Sequence, residues 1–316
     1  MTLPTRGILF ILCGLLACVP AAAQGSGWVR IVVPAPTGGN LDAVARKLAQ
    51  RLTALTGEPH VVENRPGGSS QIAMEAVVRA APDGRTLLYA GTGIVFQDQL
   101  QKLPFSPLEE LSPVIQVTRE SYVFATSAAS GLSLDNLSLS AQSKPGGLDC
   151  VTPPGLTALA CEQLKARLGG RLTVVAYNGV APSLNALLSG VGDIMFVNAS
   201  AAIPLIEAGR LRALAVSQRK GMPPAAAGAP VLADVWPGFV LTGLSGLFVP
   251  ARTPQARIEQ INRDMRRVLG ELEVDSMVRE SAQEPVGGSA AQFAEVLARE
   301  QRRFTRIIRS LGLAPG

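Results

Sequence analysis

The spacing of hydrophobic positions changes period along the chain. A short apolar run, Val29–Val33, is stopped by Pro34 and Pro36. Leu41, Val44, Ala45, Leu48, Leu52 and Leu55 then recur at helical spacing until Gly57 and Pro59. Val61 and Val62 restart a strand, residues 70–80 read as helix, and Pro82-Asp83-Gly84 turns the chain into a strand at 86–90. Further strands are predicted at 113–117 and 121–126. A second set begins near Leu148, with strands at 148–151, 172–176, 193–197 and 212–216 and helices at 156–168, 181–189 and 200–208. Residues 221–230, rich in Pro, Ala and Gly, read as loop. A strand at 246–250 leads into two long helices. The last of these places Phe293, Val296, Leu297, Phe304, Ile307, Ile308 and Leu311 on one face.

Strands alternating with helices indicate an α/β fold with parallel pairing. Two sets of similar size, with the terminal helices returning afterwards, predict two lobes joined by crossing strands. The expected division is 24–125 plus 247–316 for lobe 1 and 126–246 for lobe 2, with hinges near 124–128 and 243–248. Ligands in such sheets bind beyond the carboxyl ends of strands, where helix N-termini point. The loops after strands are therefore the places to look for a site.

The first residues bear on compartment. Arg6, the apolar run at 8–19 and Ala21-Ala22-Ala23 follow the order of a secretory signal peptide, read here as residues 1–23 with Gln24 as the new N-terminus. Leu15-Leu16-Ala17-Cys18 loosely resembles a lipoprotein box, so lipidation at Cys18 is the lesser alternative. The periplasm is the expected location, with a soluble mature chain. The formal charge of +5 falls to +4 without Arg6, and it is spread without a basic run or interleaved aromatics, which excludes nucleic acid as a partner. Cleavage leaves two cysteines, Cys150 and Cys161, which in an oxidising compartment either pair as a disulfide or stay as two buried thiols.

Among the post-strand loops, Pro36-Thr37-Gly38-Gly39-Asn40-Leu41-Asp42 stands out. Gly38 and Gly39 let the backbone bend and approach a ligand. Asn40 is read as the N-cap, and Asp42 falls in the first helical turn, where its charge suits the helix dipole. Free N–H groups at such a start form a cradle for a carboxylate or phosphate. Thr152-Pro153-Pro154-Gly155-Leu156-Thr157 repeats the arrangement, with Thr152, Gly155 and Thr157 as candidate contacts. Thr92 and Gly93, Tyr177 and Asn198 also follow strands. Together they predict a cleft lined by neutral donors.

Catalytic signatures are missing. His60, the one histidine, sits beside a proline in an early strand and reads as a surface or strand-edge residue. The chain carries no Walker A pattern, no nucleophile elbow and no Gly-x-Gly-x-x-Gly after a strand. Clustered thiol or imidazole ligands for a metal are likewise lacking. The expectation is a binding protein without a cofactor or metal, not an enzyme.

Several ordered motifs resemble the Bordetella uptake gene receptors, the extracytoplasmic receptors of tripartite tricarboxylate transporters. They include Ile31-Val32-Val33-Pro34, Gly38-Gly39-x-x-Asp42-x-x-x-Arg46, Val62-Glu63-Asn64-Arg65-Pro66-Gly67-Gly68 and Ala81-Pro82-Asp83-Gly84-x-Thr86-Leu87-Leu88. Lys144-Pro145-Gly146, Tyr177-Asn178-Gly179, Gly209-Arg210-Leu211-Arg212-Ala213-Leu214-Ala215-Val216 and Val249-Pro250-Ala251-Arg252-Thr253-Pro254 complete the set. The resemblance implies two Rossmann-like lobes of the periplasmic-binding-protein type (type II-like), with the ligand in the interlobe cleft. It implies a monomeric solute-binding receptor that takes a small carboxylate through the Gly38-Gly39 loop and the second-lobe helix start. It also implies membrane transporter subunits as partners. A sensor receptor feeding a signalling kinase uses the same chemistry and is the first alternative; a secreted enzyme is the second. Where the family commonly has Pro-Tyr-x-Gly, a Gly-rich Ser/Thr loop, an acidic residue before Asn198 and a tryptophan further on, this chain has Ala176-Tyr177-Asn178-Gly179, Thr152-Pro153-Pro154-Gly155, Val197 and Leu244. From those differences a more apolar second-lobe wall is expected, and a ligand whose far part is less polar than malate or citrate.

Overall fold

The structure, a computed structural model, describes residues 27–313 apart from 220, 221, 223–225, 227 and 242. The signal-peptide reading of 1–23, Cys18 and part of the predicted 221–230 loop lie outside the described residues. Eleven strands are formed among the described residues: β1 (Val29–Val33), β2 (His60–Asn64), β3 (Thr86–Gly91), β4 (Leu111–Glu120), β5 (Tyr122–Ser127), β6 (Leu148–Thr152), β7 (Leu172–Ala176), β8 (Ile194–Asn198), β9 (Leu211–Val216), β10 (Gly243–Pro250) and β11 (Gln283–Gly287). The longer helices are α1 (Asn40–Thr56), α2 (Gln71–Val78), α3 (Leu137–Ser143), α4 (Leu156–Arg167), α5 (Val180–Leu188), α6 (Ala199–Glu207), α7 (Gln255–Leu269), α8 (Leu272–Glu280) and α9 (Ala290–Ser310). No helix among them is long and apolar enough to cross a membrane.

The strands form two sheets, one ordered β11-β4-β10-β3-β1-β2 and the other β7-β6-β8-β5-β9. In the first, β1 pairs parallel with both β2 and β3, while β10 lies antiparallel between β3 and β4. The carboxyl ends of β1 to β4 therefore share one edge. In the second, β6 pairs parallel with β7 and β8, and β5 lies antiparallel between β8 and β9. The carboxyl ends of β6 to β9 thus share an edge with the start of β5. Only Ser121 separates the end of β4 from the start of β5, so these two edges face each other across the point where the chain changes sheet.

The helices cover the sheets as their apolar periodicity dictates. Val44, Ala45, Leu48, Ala49 and Leu52 of α1 are buried with Ile31 and Val33 of β1 and with Ile258, Ile261 and Met265 of α7. Gly57, in the left-handed region at φ 72°, ends α1. Helix α9 buries Phe293, Leu297, Phe304 and Ile308, with Val296, Ile307 and Leu311 packed partly buried beside them, as its stripe predicts. Its start is fixed by a capping box between Ser289 and Gln292. Cys150 of β6 and Cys161 of α4 are joined by a disulfide that ties this strand to the helix following it.

Three departures from the sequence expectation have physical causes. Strand β5 belongs to the second sheet and β10 to the first, so the chain crosses at Ser121 and again between Val216 and Gly243. Both crossings fall a few residues before the expected boundaries and hinges. At the first crossing the only local mark is the polar run Thr118-Arg119-Glu120-Ser121, which contains no glycine or proline and does not say which sheet the next strand joins. Strand β11 escapes prediction because its five residues are Gln-Glu-Pro-Val-Gly. A proline is tolerated at that sheet edge, where the pattern is weak. Helix α8, which lies directly after α7, turns the expected two terminal helices into three.

Candidate functional site

At the carboxyl end of β1, Gly38 adopts φ 86°, which a side chain would strain, and Gly39 is the N-cap of α1. Asn40 is therefore the first helical residue and not the cap the sequence suggests. No side chain caps α1, so its first-turn N–H groups are left for an outside acceptor. Asp42, buried at 2% exposure, is turned inward. Its Oδ2 accepts from the Gly38 N–H at 2.9 Å and Arg46 Nε at 3.0 Å, and its Oδ1 accepts from Asn64 Nδ2 at 2.8 Å. Asn64 Nδ2 also donates to the Ala35 carbonyl, Arg46 Nη2 donates to Asn64 Oδ1 at 2.9 Å, and the Thr37 hydroxyl donates to the same oxygen at 3.3 Å. Asp42 is thus a positioning residue that holds the loop, and this revises its expected role as a ligand contact.

Burial pushes the Asp42 carboxyl up, but hydrogen bonds from Arg46, Gly38 and Asn64 outweigh it and hold the group below its ordinary value. A carboxyl lowered on folding stabilises the loop fully above its unfolded pKa of about 3.9, and that contribution is lost as pH falls through the lower folded value. Asp42's contribution to affinity, the wild-type value relative to Asp42→Asn for the same ligand, should therefore be constant from about pH 7 to 5 and be lost only below about pH 4. Titration calorimetry across that range checks it, and an Asp42→Asn variant should bind weakly even at pH 7.

The second lobe repeats the arrangement without the acid. Gly155 caps α4 at φ 110° and Gly179 caps α5 at φ 115°, and neither helix has a side-chain cap. The Thr152 hydroxyl donates to Thr157 Oγ1 at 2.8 Å, and both side chains are buried. Thr92 accepts from the Leu244 N–H at 2.8 Å and donates to the Leu244 carbonyl at 3.3 Å. These three hydroxyls fasten loops to strands and are not free for a ligand. What the second lobe offers is backbone, the α4 start beyond Gly155, and the first lobe adds Gly93 after β3. Tyr177 packs partly buried against the second-lobe core, its N–H donating to the Thr152 carbonyl at 2.9 Å. Asn198 ends β8, caps α6 and stands opposite Tyr122.

Val197 and Leu244 do not form part of an exposed apolar wall. Val197 and Leu244 are 1% and 2% exposed, each facing a core, because strand alternation turns them inward. These two side chains therefore give the ligand-polarity expectation no support.

Two features at the cleft lie beyond what the sequence pattern signals. Gly67, Gly68, Ser69 and Ser70 take consecutive positive φ values of 111°, 53°, 50° and 82° after β2. Two serines in the left-handed region store strain of the kind found at ligand clamps, and only Gly67-Gly68 hints at it. The crossing itself is also polar. Ser121 Oγ accepts from Gln218 Nε2 at 2.8 Å, its carbonyl accepts from the Ala199 N–H, and Tyr122 exchanges bonds with Ser217 through both N–H and carbonyl. The Tyr122 hydroxyl donates to Glu120 Oε2 at 2.7 Å. Far from this edge, His60 lies on the edge strand β2, its Nδ1 2.7 Å from the Glu58 carbonyl oxygen, beside a hollow of about 410 Å³ at the opposite end of lobe 1.

With that geometry in place, comparison with known proteins is informative. Residues 44–313 match the family model described as "Tripartite tricarboxylate transporter family receptor". Protein BugT of Bordetella pertussis is 30% identical over 97% of this chain and 96% of its own. The structure of R. palustris Rpa4515 with adipate superposes with a TM-score of 0.83 at 28% identity, covering 93% of this chain and all of the other. The periplasmic binding protein BugD gives 0.81 at 23% identity over 91% of this chain and 98% of its own, a likeness of fold.

Proposed function

This chain belongs to the tripartite tricarboxylate transporter receptor family, and from that premise we propose that it is a periplasmic solute-binding receptor that captures a small carboxylate. It delivers that ligand to the membrane subunits of a tripartite transporter and does not transform it. The observation that carries this reading is the meeting of two strand-end edges across Ser121, each presenting helix starts without side-chain caps. A carboxylate placed between them is gripped by backbone N–H groups and by the positive ends of the helix dipoles from both lobes at once. Rpa4515, structurally similar over nearly the whole chain, was solved with a dicarboxylate, adipate. Binding both edges favours the closed arrangement, because only there does one ligand touch both lobes. The crossings at Ser121 and in 217–242 are where the hinge acts.

A thermal-shift screen of the purified protein against mono-, di- and tricarboxylates tests the proposal. A ligand at 100 times its dissociation constant adds about 2.7 kcal/mol to stability. A shift with a carboxylate recovered unchanged is the expected outcome. Silence across the panel, or turnover of the ligand, would reject the receptor reading.

A further inference from the structure

Glu120 ends β4 at the floor between the lobes, beside the crossing residue Ser121. Its neighbours in the sheet are Gly243 of β10 on one side and Gln283 of β11 on the other. A Cβ on Gly243 would come within 2.6 Å of the Glu120 Cβ and 2.5 Å of the Tyr122 ring, so glycine there makes room for the carboxyl. Thr118, two residues earlier on the same face of β4, belongs to a chain of buried hydroxyls: Tyr89 to Ser245 at 2.7 Å and Ser245 to Thr118 at 2.7 Å. That row runs on the α1 side of the sheet, since Tyr89 packs in the same core as Val44 and Leu48. Glu120 continues it to the carboxyl edge, on the side where the α1 start stands.

Glu120 has acceptor capacity to spare beside Gln283, whose buried Oε1 also lacks a partner, and of the two it alone carries a charge. It is part-buried, its Oε2 accepts from Tyr122, and among the described residues its Oε1 has no hydrogen-bond partner and its carboxylate no ion pair. Neighbouring Arg119 is committed to Glu284 at 2.7 Å. Burial pushes the Glu120 carboxyl above its ordinary value, with the Tyr122 bond opposing. A ligand held by one carboxylate at the helix starts, and long enough to reach the floor, brings its far end against this acid. A second carboxylate there would set like charges together in a partly desolvated site, whereas a donor would satisfy the open oxygen.

We propose that Glu120 is the specificity-determining residue of the cleft and selects a carboxylate whose far end carries a cationic donor, an ω-amino acid over the diacid of equal length. The inference deepens the carboxylate-receptor reading and rests on it. A charge-assisted hydrogen bond of this kind is worth about 10- to 100-fold in affinity.

The test is titration calorimetry with matched pairs of probes: succinate and 4-aminobutanoate, glutarate and 5-aminopentanoate, adipate and 6-aminohexanoate. At the best-fitting length the amino acid should bind at least 10-fold more tightly than the diacid. Glu120→Gln, which keeps the shape and an acceptor for the Tyr122 hydroxyl, should abolish that preference. Tyr122→Phe, which keeps the carboxylate, should retain it; the melting temperatures of the unliganded variants report that both are folded. A diacid that binds as well as its partner, or a preference untouched by Glu120→Gln, overturns this inference and leaves the receptor reading standing. Failure of all six probes together with the wider carboxylate panel overturns both.

Discussion

Replacing Gly39 with phenylalanine should reduce carboxylate affinity by more than about 100-fold while leaving the unliganded protein within about 0.5 kcal/mol of its original stability. The separation of the two effects follows from the backbone. Gly39 sits at φ −72° and ψ 161°, extended geometry open to any residue, and an added Cβ would meet only the Pro36 carbonyl oxygen, at 3.4 Å. Folding therefore tolerates the side chain. The N-cap side chain is also the one that reaches the N–H groups of the following turn, so a ring there covers the donors a ligand needs. Gly39→Ser sharpens the point. Its hydroxyl can accept from those same N–H groups, raising stability by a few tenths of a kcal/mol while competing with the ligand. Calorimetry and thermal melts on both variants read the two quantities separately. Unchanged affinity in Gly39→Phe would show that this loop is not the grip.

The largest loss of stability is expected in the middle of β10. A Cβ on Gly246 would lie 2.2 Å from Phe293 Cζ and 2.8 Å from the Ile115 carbonyl oxygen. Phe293 is fully buried against Phe248, ring centroids 5.3 Å apart, and cannot swing aside without opening the seam between α9 and the first sheet. Gly246→Val should destabilise the protein by about 3 kcal/mol, the upper part of the usual range for overpacking, and lower the melting temperature by roughly 6–10 °C. Because the closest clash is with the ring, Phe293→Leu should cost less in the Gly246→Val background than in the parent, a coupling that a double-mutant cycle measures, while the strain against the Ile115 carbonyl remains. Additive effects would mean that the strand, not the ring, is the source of the strain.

How much of this was legible beforehand depended on where the information resides. The strand–helix alternation and the Gly38-Gly39 loop follow from local periodicity and turn chemistry, and the chain changes sheet a few residues earlier than the pattern put the crossings. Roles of side chains did not follow. Asp42 reads from sequence as a first-turn acid open to a ligand, and it turns inward because Asn64 and Arg46, distant or on the next turn, surround it. Thr92 is absorbed by Leu244, 152 residues away. Val197 and Leu244 reach no wall because the sheets, not the spacing, decide which face is core. Glu120 drew no notice as an acid at the end of an apolar run, since its meaning comes from Tyr122, Gly243 and the crossing beside it. The left-handed serines 69 and 70 have no local code at all.

The interleaving of the first sheet also bears on the order in which the lobes can be completed. Every strand of the second sheet lies within one continuous stretch, from Tyr122 to Val216, whereas β10 must insert between β3 and β4 from more than 120 residues further on. A chain emerging from its N-terminus can finish the second lobe while β3 and β4 still hold open edges, which are templates for wrong pairing. Maturation is then limited by the arrival of the β10–α9 segment, and the vulnerable interval for aggregation is the half-built first lobe.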